Sequence, residues 1–154
     1  MYMRELDLAE QHYSRALQLN PNDVPTIAMH GNWLTRVGRL NEALEELDNL
    51  LRRDPFPPSW YWGCVYVAQM AARRYEETIA TTKRMNHLFW WDRAYVAASY
   101  ANLGKLEEAR AEASEVLRLQ PNFTASLLMR AEPFKDRRDA EPLLQGLRKA
   151  GLPE

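Results

Sequence analysis

The sequence predicts an all-α solenoid of about four stacked helix pairs, because its motifs recur at a fixed helical-repeat period. The stretch GRLNEAL at residues 38–44 returns as GKLEEAR at residues 104–110, and the two glycines lie 66 positions apart. A degenerate copy, RRYEETI, lies between them at residues 73–79. Prolines keep nearly the same spacing, at Pro21, Pro55 and Pro121. A period of 33–35 residues is typical of stacked helical hairpins.

The first element is one amphipathic helix over residues 4–19. Its apolar stripe consists of Leu6, Ala9, Tyr13, Ala16 and Leu17. By its position in the period it is the second helix of a pair whose first helix is missing, so the stripe is predicted to be exposed. Two explanations stay open. The chain is a fragment of a longer protein, which we favour, or a second copy of the chain covers the stripe.

The best copy spans residues 24–55. A first helix from Pro25 to Val37 is predicted to end at Gly38, because glycine readily takes the left-handed turn that stops a helix. Asn41 is the predicted N-cap of the second helix. That helix has an apolar stripe at helical spacing, and Pro55 closes the unit because the residue before proline avoids helical angles.

The rest of the chain continues the alternation. Ser59 is predicted to cap a helix over residues 60–72, and residues 75–88 form its partner. Residues 92–103 and 106–119 form the next pair. Asn122 or Thr124 opens a shorter helix that Pro133 stops. The last helix is predicted from an N-cap at Asp139 to Lys149, with Leu143, Leu144 and Leu147 closing the stack.

Composition limits the possible functions. The 154-residue chain has a net charge of −1, which does not indicate nucleic acid or an anionic membrane as a partner. No apolar run approaches the roughly 20 residues that span a bilayer. The single cysteine, Cys64, excludes an internal disulfide and favours a reducing, cytoplasmic setting. We expect a cytoplasmic protein.

The repeats resemble the tetratricopeptide repeat (TPR). Its pattern of small and large apolar residues is matched by Gly31, Leu34, Ala43, Leu47, Leu50 and Pro55, and again by Ala97, Tyr100, Ala109, Ala113, Val116 and Pro121. The copy between them departs from it, since Tyr66 and Thr78 stand where small residues belong. The resemblance implies a right-handed TPR superhelix with an atypical C-terminal cap. Its units are residues 4–21 (partial), 24–55, 59–89 (degenerate), 90–121 and 122–154 (capping helices).

A narrower resemblance comes from three blocks, at residues 55–62, 133–136 and 146–154. They are similar to the C-terminal TPR region of bacterial class III adenylate/guanylate cyclase-related proteins. In that family a cyclase domain precedes the repeats. The resemblance implies that this segment regulates a cyclase-like domain and does not itself carry the chemistry.

No enzyme is predicted. His12, His30 and His87 lie on different repeats without a second ligand at metal-binding spacing, and His30 is expected to lie between helices. Cys64 has no predicted base beside it, so a buried inert thiol is expected. We therefore predict no catalytic residues, no cofactor and no metal.

Protein binding is the predicted function, because TPR-like first helices line a concave groove. Carried over from the resemblance, the groove residues are Met29, Asn32, Arg36, Trp60, Cys64, Val67, Met70, Trp91, Tyr95 and Asn102. A lysine–asparagine clamp for a peptide carboxylate is not expected, because Ala28 stands where the lysine belongs. The tryptophans belong either to the core or to this groove. A protein or peptide partner is predicted, and the alternative is a homodimer formed through the N-terminal helix or the aromatic segment 87–95.

Overall fold

The computed structural model describes residues 2–154, with side chains for Glu5 and for residues 8–154. Leu6 of the predicted stripe therefore lies outside the described side chains. Nine α-helices and no strand are found in this range. They are α1 (Tyr2–Leu19), α2 (Val24–Arg36), α3 (Leu40–Arg53), α4 (Ser59–Ala71), α5 (Tyr75–Thr82), α6 (Trp90–Asn102), α7 (Leu106–Leu119), α8 (Ala125–Ala131) and α9 (Glu141–Lys149). A short 3-10 helix, Arg137–Ala140, precedes α9.

The helices stack in consecutive pairs. α2 packs on α3, α4 on α5 and α6 on α7, and each pair also contacts the next one. The first helices of the pairs, α2, α4 and α6, lie side by side through the α2–α4 and α4–α6 contacts. This arrangement is the all-α helix-pair solenoid that the repeat period predicts.

The turns inside the pairs keep one backbone geometry. Gly38 has φ of 84° and Gly104 has φ of 77°, and Arg73 takes φ of 61° at the equivalent place in the degenerate copy. The predicted N-cap at Asn41 is wrong, because α3 already begins at Leu40, two residues after the left-handed turn. The turn thus sets the helix start without a side-chain cap.

Two other predicted helix starts differ from the structure. α4 begins at Ser59 itself, with Pro58 at the N-cap. Asp139 lies inside the 3-10 helix, whose N-cap is Asp136, and so it does not cap α9. The alternative at Thr124 is confirmed, since its Oγ1 accepts the Leu127 N–H at 3.0 Å.

α5 ends at Thr82 and not near residue 88, so it is shorter than predicted. Thr82 donates its hydroxyl to the Ile79 carbonyl, and Thr81 donates to Gln69 Oε1 of α4 at 2.8 Å. Such side-chain bonds let threonines compete with the helix ladder. Beyond the end of α5, Met85 packs against both of the larger hydrophobic clusters.

The C-terminal segment has a different place from the one expected. α9 packs along α6 and touches α4, so it lies on the first helices of two pairs and not beyond the last pair. Leu143 and Leu147 are buried there in the main core. The segment before α9 also reaches α2, where the Lys135 N–H donates to the Arg36 carbonyl at 2.7 Å.

Candidate functional site

Most of the predicted groove residues surround one cavity of about 530 Å³ between α2, α4 and the 85–92 segment. Seven of the ten line it: Met29, Asn32, Arg36, Trp60, Cys64, Val67 and Trp91. The volume lies within the usual range for ligand pockets, roughly 300–1,000 Å³. The first helices of two neighbouring pairs, α2 and α4, thus form two of its walls.

The rim of this cavity is apolar and exposed. Met29 is 42% exposed, Trp60 45% and Phe89 48%. Phe89 stacks on Trp91 with ring centroids 4.6 Å apart, and His87 meets the Phe89 ring edge-on at 4.8 Å. Large aromatic and thioether side chains that remain in contact with water are the usual anchors of a binding surface.

The floor of the cavity is polar. Arg36 pairs with Glu132, with 3.4 Å between Nη2 and Oε2. Asn32 Oδ1 and Arg36 Nη1 are buried, and neither has a hydrogen-bond partner within the described part of the chain. A buried polar atom without a partner costs roughly 1–3 kcal/mol, so a ligand that bonds to it gains affinity. Both atoms lie beneath the cavity surface, shielded from solvent.

The other three predicted residues do not line the cavity. Met70 is buried in the main core, and Tyr95 is fully buried and donates its hydroxyl to Glu132. Asn102 Nδ2 donates to the Pro142 carbonyl at 2.7 Å. The C-terminal segment covers this end of the first-helix face, so the open groove is shorter than the sequence suggests.

The tryptophans divide between core and groove. Trp62 is buried, with the Arg84 guanidinium 5.0 Å from its ring centre. Trp90 is half-buried and meets Phe123 edge-on. Trp60 and Trp91 face the cavity. Trp62 and Trp90 therefore belong to the core, whereas Trp60 and Trp91 belong to the groove.

Two acidic residues of the site, Asp92 and Glu132, were not predicted from the sequence. Asp92 Oδ2 accepts the Phe89 N–H at 2.7 Å, and its Oδ1 accepts the Tyr66 hydroxyl at 2.6 Å. Burial raises the pKa of the Asp92 carboxyl above its usual value. Asp92 occupies the acidic position of a capping box, but Phe89 stands where that pattern has serine or threonine, so the sequence did not indicate it. No local signal predicts that Glu132 meets Arg36.

Cys64 and His30, the other candidates from the sequence, have surroundings that do not favour catalysis or metal binding. Burial raises the pKa of the Cys64 thiol to about 11, so the thiolate needed for nucleophilic chemistry is disfavoured. His30 bridges α2 and α3 by contacting Glu46 at 2.9 Å and stacks on Trp33. No group of three metal-ligating side chains occurs among residues whose side chains are described. Within residues 2–154, no helix has both the length and the apolar character to cross a bilayer.

Stacked helix pairs with glycine turns and a first-helix groove define an α-solenoid of the TPR type. The tetratricopeptide repeat family matches residues 96–123, which include the second half of α6 and all of α7. The fold is similar to the crystal structure of MamA, with a TM-score of 0.67 and 17% identity over 97% of this chain and 91% of that one. No curated protein matches the sequence significantly. These comparisons confirm an all-α helical solenoid of the TPR type as the fold.

Proposed function

We propose that the protein is a non-catalytic interaction scaffold that binds a peptide or short helix of a protein partner in the cavity between α2 and α4. The observation that carries this proposal is the convergence of seven groove positions on one cavity with an exposed apolar rim. Packed helices hold these side chains in place before binding, which lowers the entropy lost when a partner docks.

The chemistry of the cavity suits a mixed apolar and main-chain contact. Trp60, Met29 and Phe89 would bury an apolar side chain of the partner, and flexible thioethers adapt to its shape. Arg36 Nη1 and Asn32 Oδ1 lack partners among the described atoms and are shielded from solvent, so their side chains would have to rotate before they bond to its carbonyl and amide groups. Binding would satisfy these two polar atoms.

Replacing Trp60 with alanine is expected to weaken partner capture at least about tenfold, since a buried aromatic anchor contributes 2 kcal/mol or more at an interface. Trp60 is partly exposed at the rim, so the helical content and the unfolding midpoint should change little. The measurement is retention of a cellular partner on the immobilised chain, followed by titration of the identified segment.

Phe56→Ala is the matched control for that experiment. Phe56 is an aromatic residue that is 91% exposed in the proline-rich linker and does not line the cavity. Equal capture by both variants would contradict the groove proposal. Tyr95→Ala is a poor test, because Tyr95 is fully buried and its loss would destabilise the fold.

A narrower part of the proposal concerns the parent protein. On the sequence resemblance stated above, we propose that this solenoid regulates a cyclase-like domain in the same chain. The genomic sequence upstream of the codon for Met1 tests it. An in-frame cyclase domain would support regulation in cis, and an unrelated upstream sequence would remove this part of the proposal.

The alternative function is self-association through α1. One observation favours it: Leu8 and Leu19 are 51% and 76% exposed on that helix. Leu8→Glu with Leu19→Glu is expected to shift a dimer to monomer without unfolding, because both side chains already face water. Light scattering across a dilution series measures the shift. A wild-type monomer at every concentration would exclude this alternative.

A further inference from the structure

A second cleft lies between α8 and α9, apart from the groove described above. It encloses about 420 Å³. One end is closed by the C-terminal tail, where the Ala125 N–H donates to the Pro153 carbonyl at 2.8 Å. Phe134 and Arg137 also line this cleft. None of its lining residues belongs to the α2–α4 cavity, so the two sites are separate.

The floor of the cleft is apolar. Leu144, Leu147 and Leu152 are buried members of the main core and present part of their surface here. Met129 and Phe134 are half-buried and form the walls. An apolar side chain that entered the cleft would lose its contact with water, which favours binding.

Arginines from three different elements surround this floor. Arg130 belongs to α8, Arg137 to the 3-10 helix and Arg148 to α9. Arg148 pairs with Glu141 and Glu154. Arg130 and Arg137 are exposed and form no ion pair or side-chain hydrogen bond in the described structure. Glu154 also lines the cleft, so the positive charge left for a ligand is that of Arg130 and Arg137.

We propose that the α8–α9 cleft binds an acidic peptide segment of a protein partner, with an apolar side chain inserted between flanking carboxylates. The apolar side chain rests on Leu144 and Leu147, and the carboxylates pair with Arg130 and Arg137. Guanidinium groups bind carboxylates with two parallel hydrogen bonds. Because the arginines lie on separate elements, they suit carboxylates spaced along a peptide better than a single anionic headgroup.

The experiment titrates the full chain with a panel of fluorescent peptides in which glutamates flank one leucine, methionine, phenylalanine or tryptophan. At least one peptide should give a saturable rise in anisotropy that weakens as salt is added. Arg130→Glu with Arg137→Glu should lower its affinity at least about tenfold, because both substitutions replace attraction to the peptide's carboxylates with repulsion. Met129→Gln should lower it as well, because a half-buried wall residue becomes polar.

The matched control is Arg52→Glu with Lys105→Glu. It makes the same change in net charge at exposed positions outside the cleft that carry no ion pair in the described part of the chain. This control and Trp60→Ala should both keep the affinity. The proposal is overturned if no peptide of the panel binds, if both double variants weaken binding equally, or if Trp60→Ala abolishes it. Saturable binding of dodecanoate without any peptide binding also overturns it.

Discussion

Replacing Gly146 with alanine is expected to destabilise the protein by about 2–3 kcal/mol, because the new methyl group would overlap the backbone of α6. A Cβ atom at Gly146 would lie 2.5 Å from the Ala98 carbonyl oxygen and 2.7 Å from the Ala98 Cα. Alanine gains only about 1 kcal/mol over glycine in a helix interior, so the overlap decides the sign. Urea unfolding measures the change in the free energy of unfolding.

The same substitution at Gly63 is expected to change the free energy of unfolding in the opposite direction. Gly63 also lies inside a helix, α4, but no described atom of a neighbouring element comes within 4 Å of a Cβ built there. Helix propensity then acts alone, and we expect a gain of about 0.5–1 kcal/mol. If Gly146→Ala were as stable as Gly63→Ala, the close α6–α9 crossing would be contradicted.

Replacing Asp92 with alanine is expected to cost about 3 kcal/mol, since one carboxylate serves two groups. It caps α6 through the Phe89 N–H, and loss of such a cap costs about 1 kcal/mol. It also accepts the buried Tyr66 hydroxyl, which would be left without a partner at roughly 1–3 kcal/mol. Thermal or urea unfolding of the purified variant measures the loss.

A double-mutant cycle separates these two parts. Tyr66→Phe removes the hydroxyl and keeps the ring, which packs 4.9 Å from the Tyr95 ring centre. In that background Asp92→Ala should cost only the cap, about 1 kcal/mol, because no hydroxyl is left unpaired. Equal losses in both backgrounds would show that the Tyr66–Asp92 bond contributes nothing to stability.

The turns of the solenoid could be predicted from local sequence. Gly38 and Gly104 occupy the positive-φ position that the repeat assigns to them. The degenerate copy keeps the same turn with Arg73, a residue that takes such angles only where its surroundings impose them. Periodicity therefore predicted the backbone course even where the residue type did not match. The seven side chains around the cavity were located by the TPR resemblance, which assigns the groove positions of each first helix.

The place of the C-terminal segment could not be predicted in this way. Its amphipathic pattern requires that Leu143 and Leu147 be buried but does not say against which helix. The deciding features are a close approach allowed by Gly146 at Ala98, and contacts between residues far apart in sequence, such as Arg36 with Glu132. Local periodicity contains no information on such pairs. The length of the open groove depends on them.

The hydrogen bond from Lys135 to the Arg36 carbonyl joins the first complete helix pair to the last part of the chain. In a linear array each repeat touches only its neighbours, and the ends can melt independently. Here a return contact links distant repeats, and α9 couples α4 to α6. The described repeats should consequently unfold in one cooperative transition, so a substitution that destabilises one end of the array should also destabilise the other end.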